Sequence, residues 1–529
     1  MSRPSTKRAA FWVASGILLS RIAGLIRDRI FAHFFGNSDA ADAFKAAFRI
    51  PNFLQNMFGE GVLSASFIPV YASLLARGDE ARARRTAGAV AGLLALLMSV
   101  LVLIGVLATP WLIDVIAPGF SGEKRELTIR LVRVLFPGAG LLVLSAWCLG
   151  ILNSHHKFFL SYTAPVIWNL AMIATLIGFG SGREQYPLAV ILAWGSVVGS
   201  ALQVLVQLPT VLRLIPDLRL SLGRGDSDVR GVARGFVPVF ISRGVVQISA
   251  FVDALIASLL PTGAVAALSY AQTLYTLPVS LFGMSVSAAE LPAMSSAAGT
   301  APDAAEALRG RLDSGLRRIA YFVVPSAVAF LALGDVIIAA IYRTGVFGDK
   351  DVLFVWGILA GSTVGLLAST LARLYAATFY SLRDTRTPLK CAVVRVALTT
   401  ALGYVCAVYL PGWLGLPARW GVAGLTVSAG AAGWVEFALL RRGLNRRLGR
   451  TGLPLSYLAR LWGSAVAAGA CGFAIHRLLA SWHPIPAAVL ILAPYGGIYL
   501  LVTALAGVPE AHGVLAAARR FAGLDGKVV

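Results

Sequence analysis

Charge is scarce in this sequence. Only 13% of its 529 residues are Asp, Glu, Lys or Arg, while 57% are hydrophobic. Soluble domains run near a quarter charged, so composition excludes a water-soluble fold of this size. Acid is scarcer than base, 25 residues against 46, leaving a net charge of +21. Such a surplus can mark a nucleic-acid partner. Here the basic residues gather in short loops between apolar runs, where they orient membrane helices and meet anionic head groups, so no nucleic-acid partner is expected. Cysteine is nearly absent: Cys148, Cys391, Cys406 and Cys471 sit in apolar stretches with no CxxC pair. That excludes a disulfide framework and a thiolate metal site, and no cofactor or metal is expected. The loops are short and no GxxxxGK(S/T) motif occurs, which disfavours ATP-driven pumping by this chain alone. A membrane glycosyltransferase or ligase would need a carboxylate or histidine cluster in a sizeable outer loop. None is found, and the chain is read as a transporter and not an enzyme.

What is abundant is hydrocarbon. Apolar stretches of about 20 residues, the length that crosses ~30 Å of bilayer core, recur along the whole chain. Fourteen spans are read, at 11–32, 41–75, 86–110, 129–151, 160–180, 187–212, 235–258, 264–296, 319–342, 352–380, 389–410, 420–440, 459–479 and 486–507. The second, eighth and tenth exceed one bilayer thickness and are expected to be tilted, broken or extended. Arg3, Lys7 and Arg8 precede the first run, as in a signal peptide. No clean small-residue cleavage site follows, so the run is read as a retained span. Lys and Arg are roughly threefold richer in the termini and even-numbered loops than in the odd-numbered loops, which predicts that both termini are cytoplasmic.

The spans repeat. Ser20-Arg21 recurs as Ser242-Arg243 at an offset of 222, and Phe58-Gly59 with Val62 recurs as Phe282-Gly283 with Val286 at 224. An offset of six spans is even, so both halves share one orientation, as parallel repeats with a path between them. The fold expected is an all-α polytopic membrane protein. It has about fourteen transmembrane helices in two six-helix lobes around a central cavity, plus two C-terminal helices. The boundaries read are 1–220, 221–445 and 446–529.

An ionisable side chain deep in a span costs about 2.5–3.5 kcal/mol on insertion scales, so it faces a wet cavity or a partner. The first span carries Arg21, Arg27, Asp28 and Arg29, with Arg21 near the midplane. The second carries Asp42, Lys45, Arg49, Asn52, Asn56 and Glu60 at successive steps of three or four, which places them on one helical face. That stripe reads as a cavity wall or as a hydrogen-bonded seam between helices. Gly24, Pro51, Gly59, Glu60 and Gly61 are candidate hinge or gating positions, because proline and glycine loosen a helix where it meets the path. In the seventh span Arg243 and Gln247 form an i, i+4 pair, with Asp253 beyond. Cations concentrated in these three spans predict a cavity that favours an anion. Arg21, Arg27, Asp42, Arg49, Asn52, Arg243 and Gln247 are the candidate substrate-binding residues.

The run Ser20-Arg21-Ile22-Ala23-Gly24-Leu25-Ile26-Arg27-Asp28 resembles the first-span signature of the MviN/MurJ family of lipid II flippases, within the multidrug/oligosaccharidyl-lipid/polysaccharide exporter superfamily. Asp42-Ala43-Phe44, Arg49-Ile50-Pro51-Asn52, Gly59-Glu60-Gly61 and Phe67-Ile68-Pro69 resemble its second span, and Asp384-Thr385-Arg386-Thr387-Pro388 its loop between spans ten and eleven. The resemblance implies that superfamily's fold in a bacterial cytoplasmic membrane. It also implies outward flipping of an undecaprenyl-diphosphate-linked peptidoglycan precursor, lipid II, or alternatively of another lipid-linked oligosaccharide or polysaccharide. Membrane lipids and the cell-wall synthesis machinery are the implied neighbours. Arg21 and Arg27 match the family's first-span cavity arginines, and Asp42 its second-span acid. Gln55 and Thr273 stand where the family commonly has arginine. Arg243, oriented by Gln247, is expected to restore part of that charge unless a carboxylate such as Asp253 or Glu290 claims it.

Overall fold

The structure, a computed structural model, describes residues 6–223, 226–297, 304–479 and 481–521; the side chains of residues 6–14, 60, 238, 241–250 and 517–521 lie outside the described set. It is helical, with no strand among the described residues. The chain divides into two compact units, 1–266 with 344–347, and 267–343 with 348–529. Eleven helices are long and apolar enough to cross a membrane, or twelve counting one bent pair. The fourteen read from sequence exceed that number by the helices at the first and seventh spans, whose side chains are only partly described.

The first unit holds α1 (Thr6–Phe35), α2 (Asp39–Phe58), α3 (Glu60–Ala76), α4 (Glu80–Ile116), α5 (Gly122–Ser154), α6 (Phe158–Phe179), α7 (Gln185–Leu214) and α8 (Ser227–Ser258). The unit runs through α8, which packs on α2, α3 and α4. At its centre is α5, whose apolar window is 72% buried; Trp147, Ile151 and Leu152 there meet Phe67 and Tyr71 of α3. Helix α1 lies against α6 so closely that a Cβ at Gly16 would sit 2.6 Å from Tyr162 Cβ, which is why glycine stands there. Ser38 opens α2 by accepting the Ala41 N–H at 3.2 Å.

The second unit takes up α9 (Ala264–Pro278) from Ala267 onward, then a π-helical turn (Val279–Met284) and α10 (Ser285–Ala297). It continues with α11 (Ala304–Ala332), α12 (Gly334–Tyr342), α13 (Asp349–Thr363), α14 (Leu366–Ser381), α15 (Arg386–Val408) and the short α16 (Leu410–Trp413). It ends with α17 (Gly421–Leu448), α18 (Leu455–Leu478), α19 (Pro484–Leu505) and α20 (Pro509–Phe521). The last two spans are fastened by tyrosines. Pro325 inside α11 has no N–H to give the Tyr321 carbonyl one turn back, and the Tyr499 hydroxyl of α19 donates to that carbonyl at 2.7 Å instead. Tyr495 donates likewise to the Pro325 carbonyl at 2.6 Å. A bare carbonyl is costly in hydrocarbon, so the Tyr499 contact replaces a bond that water cannot supply.

All three overlong spans are broken. The second parts at Gly59 into α2 and α3; the eighth carries the π-turn between α9 and α10; the tenth is α13 and α14, bent by 43°. The Asp384-Thr385-Arg386-Thr387 motif starts α15. The Asp384 carboxylate accepts the Arg386 and Thr387 N–H groups at 3.0 Å each and the Thr387 hydroxyl at 2.7 Å. These bonds, with Arg447 beside it, hold its pKa down at about 2.

Candidate functional site

In the first unit the helical period brings two faces together. Helix α1 contributes Ser20, Gly24 and Arg27, and α2 contributes Phe48, Asn52 and Gln55, each set spaced at i, i+4 and i+7. Opposite them stand Leu142 of α5, Pro165, Trp168 and Asn169 of α6, and Gln203 of α7. Together they enclose a cavity of about 350 Å³, within the ~300–1,000 Å³ usual for small-ligand sites.

Arg27 is the one charged group on this wall among the described residues, and its guanidinium is held on several sides. Nε and Nη2 donate to Asp28 Oδ1 at 3.3 and 3.0 Å, and Nη1 donates to Asn169 Oδ1 at 3.1 Å. The Asn169 amide is itself oriented by donating to the Pro165 carbonyl at 3.0 Å. The guanidinium lies 5.0 Å over the Trp168 ring, a cation–π contact. Trp168 in turn stacks on Phe48 at 5.6 Å and donates to the Ser196 carbonyl at 3.2 Å. Asp28 also pairs with Lys45 at 3.4 Å. The trio carries a net +1, with its only carboxylate shared between two cations.

Arg21 differs. It sits midway along the 30-residue α1, is exposed, and no hydrogen bond or ion pair reaches it among the described residues. It lies on the face of α1 adjacent to the cavity, next to Ser20, and outside the lining.

The polar stripe of α2 serves several destinations and not one wall. Asp42 is 1% exposed. Its carboxylate accepts Lys124 Nζ at 2.7 Å, the Gly263 N–H at 2.8 Å and the Ala266 N–H at 2.7 Å, so it caps the start of α9. Asp39 shares Lys124 at 2.9 Å. Lys45 turns to Asp28, Arg49 has Asp253 as its charge partner, and only Asn52 of the predicted residues on α2 reaches the cavity. Arg27, Gly24 and Asn52 are therefore brought together, while Arg21, Asp42 and Arg49 are elsewhere in the unit. Pro51 is buried within α2, Gly59 is the break, and Gly61 follows it in α3. The side chains of Glu60, Arg243 and Gln247 lie outside the described residues. Of the carboxylates considered for Arg243, Asp253 faces Arg49, and Glu290 lies 3.9 and 3.7 Å from Arg311 and Arg318. Trp168, Asn169 and Gln203 were missed. The adjacent Trp-Asn pair in the middle of the fifth span was the available signal.

Comparison with known proteins follows the same line. The family described as Lipid II flippase MurJ matches residues 31–492. The Lipid II flippase MurJ of Burkholderia cenocepacia is 32% identical over 446 residues, 83% of this chain and 84% of that protein. Among solved structures, a lipid II flippase MurJ in an inward closed conformation superposes with a TM-score of 0.75 at 23% identity, covering 93% of this chain and 98% of that one. An inward-facing MATE family transporter of the MOP superfamily does so at 0.66 and 18%, covering 83% and 98%. These two likenesses show the fold, that of a multi-pass helical membrane protein. On the extent of the family match and of the relative's identity, the chain belongs to the lipid II flippase MurJ family.

Proposed function

We propose that this protein flips lipid II, the undecaprenyl-diphosphate-linked peptidoglycan precursor, from the inner to the outer leaflet of a bacterial cytoplasmic membrane by alternating access. The observation that carries the reading, beside family membership, is Arg21: an exposed guanidinium halfway along a membrane helix, with no ion pair to an acid among the described residues. Such a group is expensive to insert unless an anion is its business. Guanidinium is the natural fork for phosphate oxygens. The polyprenyl tail stays in lipid while the head group crosses. An inside-negative potential of about 100 mV favours outward movement of two negative charges by about 4–5 kcal/mol. The protein's work on this reading is transport without bond chemistry, next to the cell-wall synthesis machinery that uses the product. Arg243 and Gln247 are assigned to the same anion path by their repeat relation to the first span.

Expression in a bacterium depleted of its own lipid II flippase restores growth. Lysis despite normal insertion would mean a different cargo, such as another lipid-linked oligosaccharide. Both termini are placed in the cytoplasm on the Lys and Arg bias. A membrane-impermeant thiol reagent added outside cells accordingly modifies cysteines engineered at Gly122 and Gly348 but not at Arg84 or Arg446; labelling of all four from outside overturns that orientation.

A further inference from the structure

The cavity of the first unit has the wrong chemistry for a diphosphate. Of its polar groups, Ser20, Asn52, Gln55, Asn169 and Gln203 are uncharged, and the one cation, Arg27, is bound to Asp28 and Asn169. A group with two negative charges needs uncompensated donors, and on this part of α1 the cation that no hydrogen bond or ion pair reaches among the described residues is Arg21, outside the lining.

The same wall suits a ligand that donates and accepts at neighbouring atoms. A carboxamide offers a carbonyl oxygen and an NH₂ side by side. No side-chain hydrogen bond engages Asn52, Gln55 or Ser20 among the described residues. Gln203 is 6% exposed; its NH₂ is fixed by donation to Ser145 Oγ at 2.8 Å. That leaves its carbonyl oxygen as an acceptor. Phe48 and Leu142 supply apolar surface between these groups. Hydroxyl and acetamido groups around a ring with C–H faces match this arrangement: polar at the rim of the ring, apolar on its faces. Resting on the flippase reading above, we infer that this cavity holds a sugar ring of the head group, with the diphosphate outside it at Arg21. Ser20 and Arg21 are consecutive on α1, so sugar and phosphate bind at adjacent positions, in the order in which they are bonded.

The test compares binding of three lipids to the full-length protein in detergent: a polyprenyl diphosphate with no sugar, one with its saccharide, and one with saccharide and peptide. Asn52→Leu and Gln55→Leu each weaken binding of both saccharide-bearing lipids by about three- to tenfold, the loss of one or two neutral hydrogen bonds. They leave the sugar-free lipid within about twofold by the same reckoning, and that retained affinity shows that the variants are folded. Arg21→Ala weakens all three. Equal weakening of all three by the leucine variants would place the diphosphate in the cavity, and weakening confined to the peptide-bearing lipid would place the peptide there; either overturns the inference. If the unaltered protein binds none of the three, the flippase reading itself fails, and this inference with it.

Discussion

Asp42→Ala destabilises the folded protein by about 3–5 kcal/mol, the cost of leaving a buried charge without its partner. The carboxylate it removes is almost fully buried and serves Lys124 and the N–H groups of Gly263 and Ala266 at once. Without it the Lys124 ammonium keeps the Phe120 ring and, as carboxylate partner among the described residues, Asp39, which is 40% exposed, and the start of α9 loses its acceptors. Asp42→Asn retains an acceptor for the two N–H groups and loses less. Asp42→Ala combined with Lys124→Met recovers part of the loss, since no ammonium then remains to be stranded. Thermal unfolding in detergent reads the series. An alanine variant that unfolds at the parent's midpoint would show that the carboxylate carries none of this. The matching acid of the second span thus has a structural task in the first unit.

Arg21→Ala lowers the rate of lipid transfer in proteoliposomes by about ten- to hundredfold, the worth of a charge-assisted hydrogen bond or two, with insertion and unfolding midpoint unchanged. Among the described residues no hydrogen bond or ion pair leans on its side chain, so its loss is felt by the cargo. Arg27→Ala is as damaging to transfer and is also felt in stability, because Asp28 is left to Lys45 and the Asn169 amide loses its donor. Lysine separates the two positions. At Arg21 it keeps a mobile positive charge and a good part of the activity. At Arg27 it cannot reach Asp28 and Asn169 with one planar fork, and it fails. A fully active Arg21→Ala protein would remove the anion-carrying role from this residue.

Much of the architecture was legible because a bilayer imposes a strict rule: long apolar runs become helices, and runs too long for one crossing must break. Pro51 with Gly59 and Gly61 gave away the first of those breaks. The π-turn at Val279–Met284 was signalled by Pro278 before it and by Gly283, the repeat counterpart of Gly59, whereas the bend after Thr363 has only Gly365 and no proline beside its excess length. The site was legible as a set of polar residues but not as an arrangement. Steps of three and four put Asp42, Lys45, Arg49 and Asn52 on one face of α2. Which neighbour each one meets depends on α1, α5, α6 and α8 arriving beside different turns of that helix. Arg49 and Asp253 come within electrostatic range because α8 packs on α2, and nothing local in either stretch announces it. Trp168 and Asn169 escaped for a related reason: an adjacent pair, with no charged residue in its span, has no period to betray it.

The tyrosine at 499 has a consequence for the order in which the chain can be completed. The carbonyl it serves, at Tyr321, is 178 residues earlier. Helix α11 is therefore made, and handed to the membrane, long before its missing bond can be formed. Through all of that synthesis the notch above Pro325 must borrow a donor from water or from the insertion machinery. Only when the second-last helix of the protein arrives can the borrowed donor be released and the notch sealed. The two spans that fall outside the repeat thus act as the closing step of the second unit's assembly, and a chain cut short before α19 would remain permanently at the unsealed stage.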